Sequence, residues 1–296
     1  MRIYSGSSNP KLASRLSKIT GYPLADIEIS SFPNGETKIW INDKIDNEAI
    51  VVQSFSPNPD RMIIEYALLM DALRRGGADK IIVVIPWLGY CIQDKVFRQG
   101  EPLSAKVIAE IVQSTNPDKI ITIDLHNEAI QGFFASRTKL LSAIPLFWEI
   151  LKTIKLDCVI SPDEGALKKS TKTAQALNLD IVTLNKRRDL NTGKVEFLGI
   201  NGNVKGKSAL ITDDFISTGQ TLTMAADYLK SQGVEKLYVA VTHHLFVSGV
   251  QEKLSKCGID ELFVTDTIAM PKDIIKNTDN FSTRILSVDK LIHDNL

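Results

Sequence analysis

Short apolar runs rich in β-branched residues alternate along this chain with longer segments of helical period. Residues 50–53 precede a helical pattern over 60–75, and 81–85 precede 104–113. The alternation resumes with 210–212 before 220–231, and with 237–242 before 249–256. Runs that are almost wholly apolar suit strands buried on both faces, as in a parallel sheet covered by helices. The pattern predicts an α/β protein built from mainly parallel sheets flanked by helices.

Two segments echo each other, GADKIIVVIP from Gly77 and GVEKLYVAVT from Gly233, each following a helical pattern and leading into a strand. A second pair follows, NPDKIITIDLH from Asn116 and GIDELFVTDTI from Gly258. Two tandem copies of one αβ unit produce such offsets. The second pair is offset by fewer residues than the first, so the first half carries an insertion, either within residues 87–106 or in the helix after them. A long polar loop bounded by Gly and Pro at the carboxyl end of a strand is where open α/β sheets place ligand-binding residues. The expected junction lies near residues 143–145, giving domains 1–144 and 145–296, which agrees with a length of 296 residues. The tail is expected to finish the second domain with a strand at 284–287 and a short helix.

Composition narrows the function classes. With 44% hydrophobic and 24% charged residues and a formal net charge of zero, the chain is an ordinary globular protein. It has no global basic field to draw it to nucleic acid or to an anionic membrane. Cys91, Cys158 and Cys257 follow no metal-ligand or CxxC spacing and read as structural thiols of a reducing compartment. The N-terminus turns polar after four residues, and the most apolar run, 81–88, is too short to span a bilayer. A cytoplasmic protein is expected. Trp40, Trp87 and Trp148 read as packing residues, and His243 and His244 as structural.

The chemistry concentrates in LITDDFISTGQT, residues 210–221: a strand-like run, two adjacent carboxylates, then a turn that opens a helix. Carboxylates accept hydrogen bonds in pairs, which suits vicinal ribose hydroxyls, and the N–H groups of a helix start suit a phosphate. A plain N-capping turn is the bland alternative, but consecutive acids directly after a buried strand are costly unless used. The segment resembles the loop shared by phosphoribosyltransferases and ribose-phosphate pyrophosphokinases (PRPP synthetases), and by itself does not choose between them. Other stretches do: SFPNGET (31–37), GYCIQDKVFRQGEPLSAK (89–106), DLHNEAIQGFF (124–134), SPDEG (161–165) and NKRR (185–188) resemble PRPP synthetase motifs in the right order, over roughly residues 1–270.

That resemblance implies two tandem phosphoribosyltransferase-like (Rossmann-like) domains. It also implies transfer of the diphosphoryl group of Mg-ATP to the 1-hydroxyl of ribose 5-phosphate, giving PRPP and AMP for nucleotide, His and Trp biosynthesis. Asp213 and Asp214 would hold the ribose hydroxyls, and Ser217, Thr218, Gly219, Gln220 and Thr221 the 5-phosphate. Phe32, Asn34, Glu36, Gln93, Asp94, Lys95 and His126 would contact ATP, and His126 and Asp163 would contact Mg²⁺. Lys186 and Arg188 would be catalytic, stabilising charge on the transferring group. Homodimers, with hexamers as a larger assembly, are implied; no nucleic-acid or membrane partner is.

Some positions depart from the family pattern. Asn34 stands where Asp is usual, Ile92 where an ATP-contacting Arg is usual, and Asn185 and Ala166 differ mildly. Isoleucine offers no hydrogen bond to a phosphate or base, while Lys95 and Arg98 remain in the same loop. The rival readings are a non-catalytic regulatory paralogue, to which the loss at Ile92 points, and a phosphoribosyltransferase. Neither would need the whole set of Lys186, Arg188, His126, both acids and the SFPNGE segment.

Overall fold

The structure, a computed structural model, describes the chain apart from residues 164, 189–194 and 275–276 and the side chains of 187, 188, 195 and 196. The chain forms two compact units. The first comprises Met1–Ser142 with Asp266–Ala269 and Ser287–Leu296, the second Ala143–Thr265 with Met270–Leu286.

In the first unit the elements are β1 (Arg2–Ser5), α1 (Pro10–Thr20), β2 (Ile27–Ser31), β3 (Thr37–Ile41), β4 (Glu48–Val52), α2 (Pro59–Arg75), β5 (Lys80–Ile85), α3 (Ser104–Ser114), β6 (Lys119–Ile123) and β7 (Thr138–Leu141). Five of the strands form a wholly parallel sheet in the order β1-β4-β5-β6-β7. Ile50, Val51, Val83, Val84 and Ile121 of its central strands are fully buried, as continuous apolar runs require. Helix α1 starts where the Asn9 side chain accepts from Leu12 N at 3.2 Å and Pro10 takes the first turn. Strands β2 and β3 form a separate antiparallel hairpin, with Ile29 opposite Ile39. FPNGE joins them, Phe32 N donating to Glu36 O and Gly35 N to Phe32 O, both at 2.8 Å. Gly35 takes φ +90 there, a conformation an L side chain would strain.

The second unit continues with α4 (Ile144–Leu151), β8 (Cys158–Ser161), α5 (Leu167–Leu177), β9 (Asp180–Arg188), β10 (Val195–Asn201), β11 (Ser208–Ile216), α6 (Gln220–Ser231), β12 (Lys236–His244), α7 (Val250–Leu254), β13 (Glu261–Thr265), β14 (Asn277–Thr278) and β15 (Phe281–Leu286). Its sheet runs β10-β9-β8-β11-β12-β13-β15-β14, parallel from β9 to β15 with antiparallel strands at both edges. Helices cover both faces, α6 and α7 over one core (Ile211, Leu222, Val239, Leu254) and α4 and α5 over another (Phe147, Val159, Ala174, Leu210, Phe263).

The two sheets share one topology, since β1-β4-β5-β6-β7 and β8-β11-β12-β13-β15 follow the same spatial order. Register extends the match to single residues. Glu48 stands opposite Lys80 and Ser208 opposite Lys236, so equating the GADK and GVEK segments places Gln53-Ser54 where the second unit has Asp213-Asp214. Arg2 faces Ala49 as Cys158 faces Ala209, which carries Ser7 onto Asp163. The insertion expected in the first half is there: residues 86–103 separate β5 from α3, against 245–249 between β12 and α7.

The tail departs from expectation. Its strand, β15, joins the second sheet between β13 and β14, but its helix α8 (Asp289–His293) belongs to the first unit and packs on α1. Val288 and Ile292 are fully buried there. Asp266 clamps the segment: Oδ1 accepts from Val288 N at 2.8 Å, and Oδ2 accepts from Ser287 Oγ at 2.8 Å and pairs with Arg15 at 3.1 Å. Burial pushes the Asp266 carboxyl up, and these hydrogen bonds oppose the shift. Asp266→Ala would leave the buried Val288 N–H without this acceptor and is expected to destabilise the protein by about 1–3 kcal/mol. Urea unfolding and amide exchange across residues 287–293 test this; exchange as slow as in the unsubstituted protein would contradict the clamp.

Candidate active site

Three neighbouring strands of the second unit deliver its candidate residues. Strand β8 lies between β9 and β11, with Ser161 opposite Thr183 and Ile160 opposite Ile211. Just beyond β8, Ser161 Oγ donates to Asp163 O at 2.8 Å, and Asp163 Oδ1 accepts from Ala166 N at 3.0 Å, turning the chain towards α5. The other carboxylate oxygen, Oδ2, pairs with Lys186 Nζ of β9 at 3.1 Å. Parallel pairing thus brings the SPD and NKRR motifs together.

On the other flank, β11 carries the two acids near its carboxyl end. Asp214 N donates to Asp213 Oδ1 at 2.8 Å. Asp214 Oδ1 forms an ion pair with Lys169 Nζ, from the first turn of α5. The next residue, Ser170, is fully buried, and its hydroxyl lies 3.1 Å from Thr212 Oγ1. Desolvation and then the neighbouring Asp214 charge raise the Asp213 pKa from 3.8 to about 7. A carboxylate beside a second carboxylate, away from water, holds its proton more tightly.

The turn after β11 leads directly into α6. Gly219 sits at its N-cap with φ +68, and a Cβ there would meet Val250 Cγ1 of α7 at 3.0 Å. Glycine supplies no side-chain cap, so the first N–H groups of α6 point to the turn formed by Ser217 and Thr218, the latter exposed. Thr218 Oγ1 stands 3.5 Å from Gln220 N, and Thr221 falls in the first helical turn. Beneath this turn α7 is fixed by a buried histidine. Phe246 N donates to His244 Nδ1 at 2.8 Å, which leaves the proton on Nε2 facing Gln251 Oε1 at 3.0 Å. Gln251 Nε2 then donates to Thr283 Oγ1 at 2.8 Å. Burial lowers the His244 pKa to about 4, and its ring stacks on Phe246 at 4.1 Å. His243 is also fully buried, so neither ring is open to solvent.

The residues expected on the nucleotide side lie in the first unit, at three places. Phe32, Asn34 and Glu36 form the tip of the β2–β3 hairpin; all three are exposed, and Asn34 Oδ1 accepts from Glu36 N at 3.2 Å. In the inserted loop, Gln93 O accepts from Ala105 N at 3.1 Å and its side chain bonds Ser104 Oγ. Asp94 Oδ2 accepts from Asn127 Nδ2 at 2.7 Å, tying the loop to the turn that carries His126 beyond β6. Lys95 and His126 are exposed. The Arg188 backbone ends β9, and its side chain lies outside the described residues.

Lys169 is the residue that motif reading passes over. The available signal was its position: a cation in the first turn of α5 opposes the helix dipole, and a following serine binds it to the acid-bearing strand. Among the described residues no group of three His, Cys, Asp or Glu side chains gathers as a metal centre, and no helix is long and apolar enough to cross a membrane. All three cysteines are buried, and burial pushes the Cys158 and Cys257 thiols up to about 11.

Fold and site together define a tandem α/β protein with a diacid and a helix-start turn at one sheet edge, the equipment for holding a sugar phosphate. Comparisons carry this further. Residues 1–115 match the N-terminal domain of ribose phosphate pyrophosphokinase, and residues 189–294 match the phosphoribosyl synthetase-associated domain. The ribose-phosphate pyrophosphokinase of Oceanobacillus iheyensis is 34% identical, over 99% of this chain and 92% of that protein. The enzyme of the same name from Bacillus subtilis is 33% identical, over 92% and 87%. The crystal structure of phosphoribosylpyrophosphate synthetase from Mycobacterium smegmatis superposes with a TM-score of 0.90 at 28% identity, covering 99% of this chain and 96% of that one. The chain belongs to the ribose-phosphate pyrophosphokinase family.

The Asp213 environment yields a pH prediction. With a folded-state pKa raised from 3.8 to about 7, the native protein binds this proton more tightly than the unfolded chain does. Asp213 therefore lowers stability progressively as pH rises between those values. Asp213→Asn removes that dependence. The stability of the variant relative to the unsubstituted protein should grow from pH 4 to about pH 7 and then level off, as measured by urea unfolding across the range. A difference independent of pH would show that Asp213 ionises normally in the fold.

Proposed function

We propose that this protein is a working ribose-phosphate diphosphokinase: Mg-ATP and ribose 5-phosphate are its substrates, and PRPP and AMP its products. The observation that carries the reading is the gathering of Asp163, Lys186, Asp213 and Asp214 on adjoining strands of one unit. A phosphoribosyltransferase would use the same diacid loop but not the hairpin, inserted loop and DLH turn of the first unit.

In the proposed reaction the sugar O1 attacks the β-phosphorus. The O1–Pβ bond forms, the bond from Pβ to the α,β-bridging oxygen breaks, AMP leaves with that oxygen, and the O1 proton is released. Asp213 and Asp214 orient the ribose through its hydroxyls, while the N–H groups at the start of α6, with Ser217, Thr218 and Thr221, hold the 5-phosphate. Lys186, kept at the sheet edge by Asp163, offers a cation to oxygens that gain charge as the diphosphoryl group transfers, and Arg188 does the same. Phe32 presents an aromatic face to adenine, with Asn34 and Glu36 for its polar edge. Gln93, Asp94 and Lys95 line the nucleotide side.

His126 and Asp163 would hold Mg²⁺. Each would be a single donor, and a cation that keeps several waters and takes further oxygens from phosphates needs few protein ligands. When bound, Mg²⁺ neutralises charge on the triphosphate. Assembly into homodimers, with hexamers as a larger assembly, is part of the reading. Trp40 on the hairpin, 60% exposed, and Ile64 on α2, 55% exposed, support it.

Phosphorus NMR of a mixture with ATP, Mg²⁺ and ribose 5-phosphate is expected to show PRPP and AMP growing together. ADP as product, or no turnover beside an active control enzyme, would sink the proposal. Lys186→Ala is expected to lower kcat about 10²- to 10³-fold, as loss of one charge-stabilising donor does, with a much smaller change in ATP binding. Unchanged turnover would remove Lys186 from the mechanism.

A further inference from the structure

We infer that Lys169 is a positioning residue of the ribose 5-phosphate site, acting through Asp214; this rests on the reading of Asp213 and Asp214 as the acids that hold the sugar. Three lysines crowd the start of α5. Lys168 and Lys172 are exposed, whereas Lys169 turns inward, its side chain 25% exposed and ion-paired with Asp214, itself 14% exposed. A lysine in the first helical turn works against the helix dipole, so the helix itself gains nothing from this one. The next residue holds the arrangement in register: Ser170 is fully buried with its hydroxyl 3.1 Å from Thr212 Oγ1, two residues before Asp214. Lys169 is therefore delivered to a fixed point on β11.

The need for it follows from charge. Asp213 and Asp214 are consecutive, and Asp163 lies on the adjoining strand end, so three carboxylates share one sheet edge. Lys186 serves Asp163 and Lys169 serves Asp214, each lysine on its own acid. The ammonium supplies Asp214 with a countercharge and pins one carboxylate oxygen, which fixes the plane in which the carboxylate meets a ribose hydroxyl. Its work is thus on the acceptor sugar, while Lys186 stands on the side of the transferring phosphates.

Initial-rate kinetics with the full-length protein test the assignment, using Lys169→Met, Lys169→Arg and the exposed-site control Lys172→Met. Lys169→Met should raise KM for ribose 5-phosphate about 10- to 100-fold, the factor for one charge-assisted contact, with KM for ATP changed by less than about twofold. Lys169→Arg should restore most of the loss, and Lys172→Met should behave as the unsubstituted protein. In an Asp214→Asn background Lys169→Met should add little. Calorimetric binding of ribose 5-phosphate should weaken by the same factor. Should the unsubstituted protein make no PRPP, the proposed reaction fails, yet the binding comparison still decides the role of Lys169. Lys169→Gln supplies that comparison if the methionine variant does not fold. Unchanged affinity for ribose 5-phosphate, or equal losses for both substrates that add to those of Asp214→Asn, would overturn the inference.

Discussion

Parallel pairing of β8, β9 and β11 forces their carboxyl ends to one edge of the sheet, and the residues there are mostly charged. Once Asp163, Asp213 and Asp214 share that edge, their repulsion and desolvation must be met by something. Lys186 meets Asp163 at 3.1 Å, Lys169 meets Asp214, and Asp213, beside the Asp214 N–H, takes a pKa raised to about 7. Lys169 of α5, Lys186 of β9, the Ser170–Thr212 contact and the turn at Asp163 all lie at that edge. In the proposed reaction a ribose hydroxyl would meet acids already oriented, so little of the binding energy would be spent on arranging them.

The first unit has the same strand order with the opposite content. Ser7, Gln53 and Ser54 occupy the positions that Asp163, Asp213 and Asp214 occupy in the second. The anion there is internal: Glu65 of α2 is fully buried and accepts from Ser7 N at 2.6 Å, Ser7 Oγ at 2.7 Å and Gln53 Nε2 at 2.9 Å. A buried carboxylate without such donors would cost several kcal/mol, so these polar residues and Glu65 require one another. One copy of the topology thus carries acids at its strand ends, and the other uses the equivalent place to satisfy a buried carboxylate. The residues proposed for the nucleotide side lie elsewhere in the first unit, on the β2–β3 hairpin, in the inserted loop and in the turn after β6.

What the sequence disclosed follows the range of each interaction. Helix α6 spans the residues its pattern predicts, because an apolar period, a glycine N-cap and the preceding strand are all local signals. The tandem repeat and the insertion were likewise legible, since equal topology leaves echoes in the sequence and an insertion changes the offset between them. Contacts between distant elements were not. Nothing local says that Lys169 reaches across to Asp214, or that α8 leaves the second domain to be clamped by Asp266. Helix α7 is also shorter than its apolar period suggests, ending at Leu254, where Ser255 onward turns towards β13.

The departures at Asn34 and Ile92 take on a different weight once geometry is present. Asn34 uses its side-chain oxygen to accept from Glu36 N at 3.2 Å, a bond that aspartate would make equally well. The exchange therefore removes a charge and leaves the hairpin tip intact. Ile92 is 40% exposed, between a buried Cys91 and the anchored Gln93 and Asp94, whose partners are Ser104 and Asn127. The loop is attached by its polar neighbours, so isoleucine at 92 deletes one cation without loosening the rest. Lys95 and Arg98 stand further along the exposed part of the same loop, so the loop keeps two of its cations.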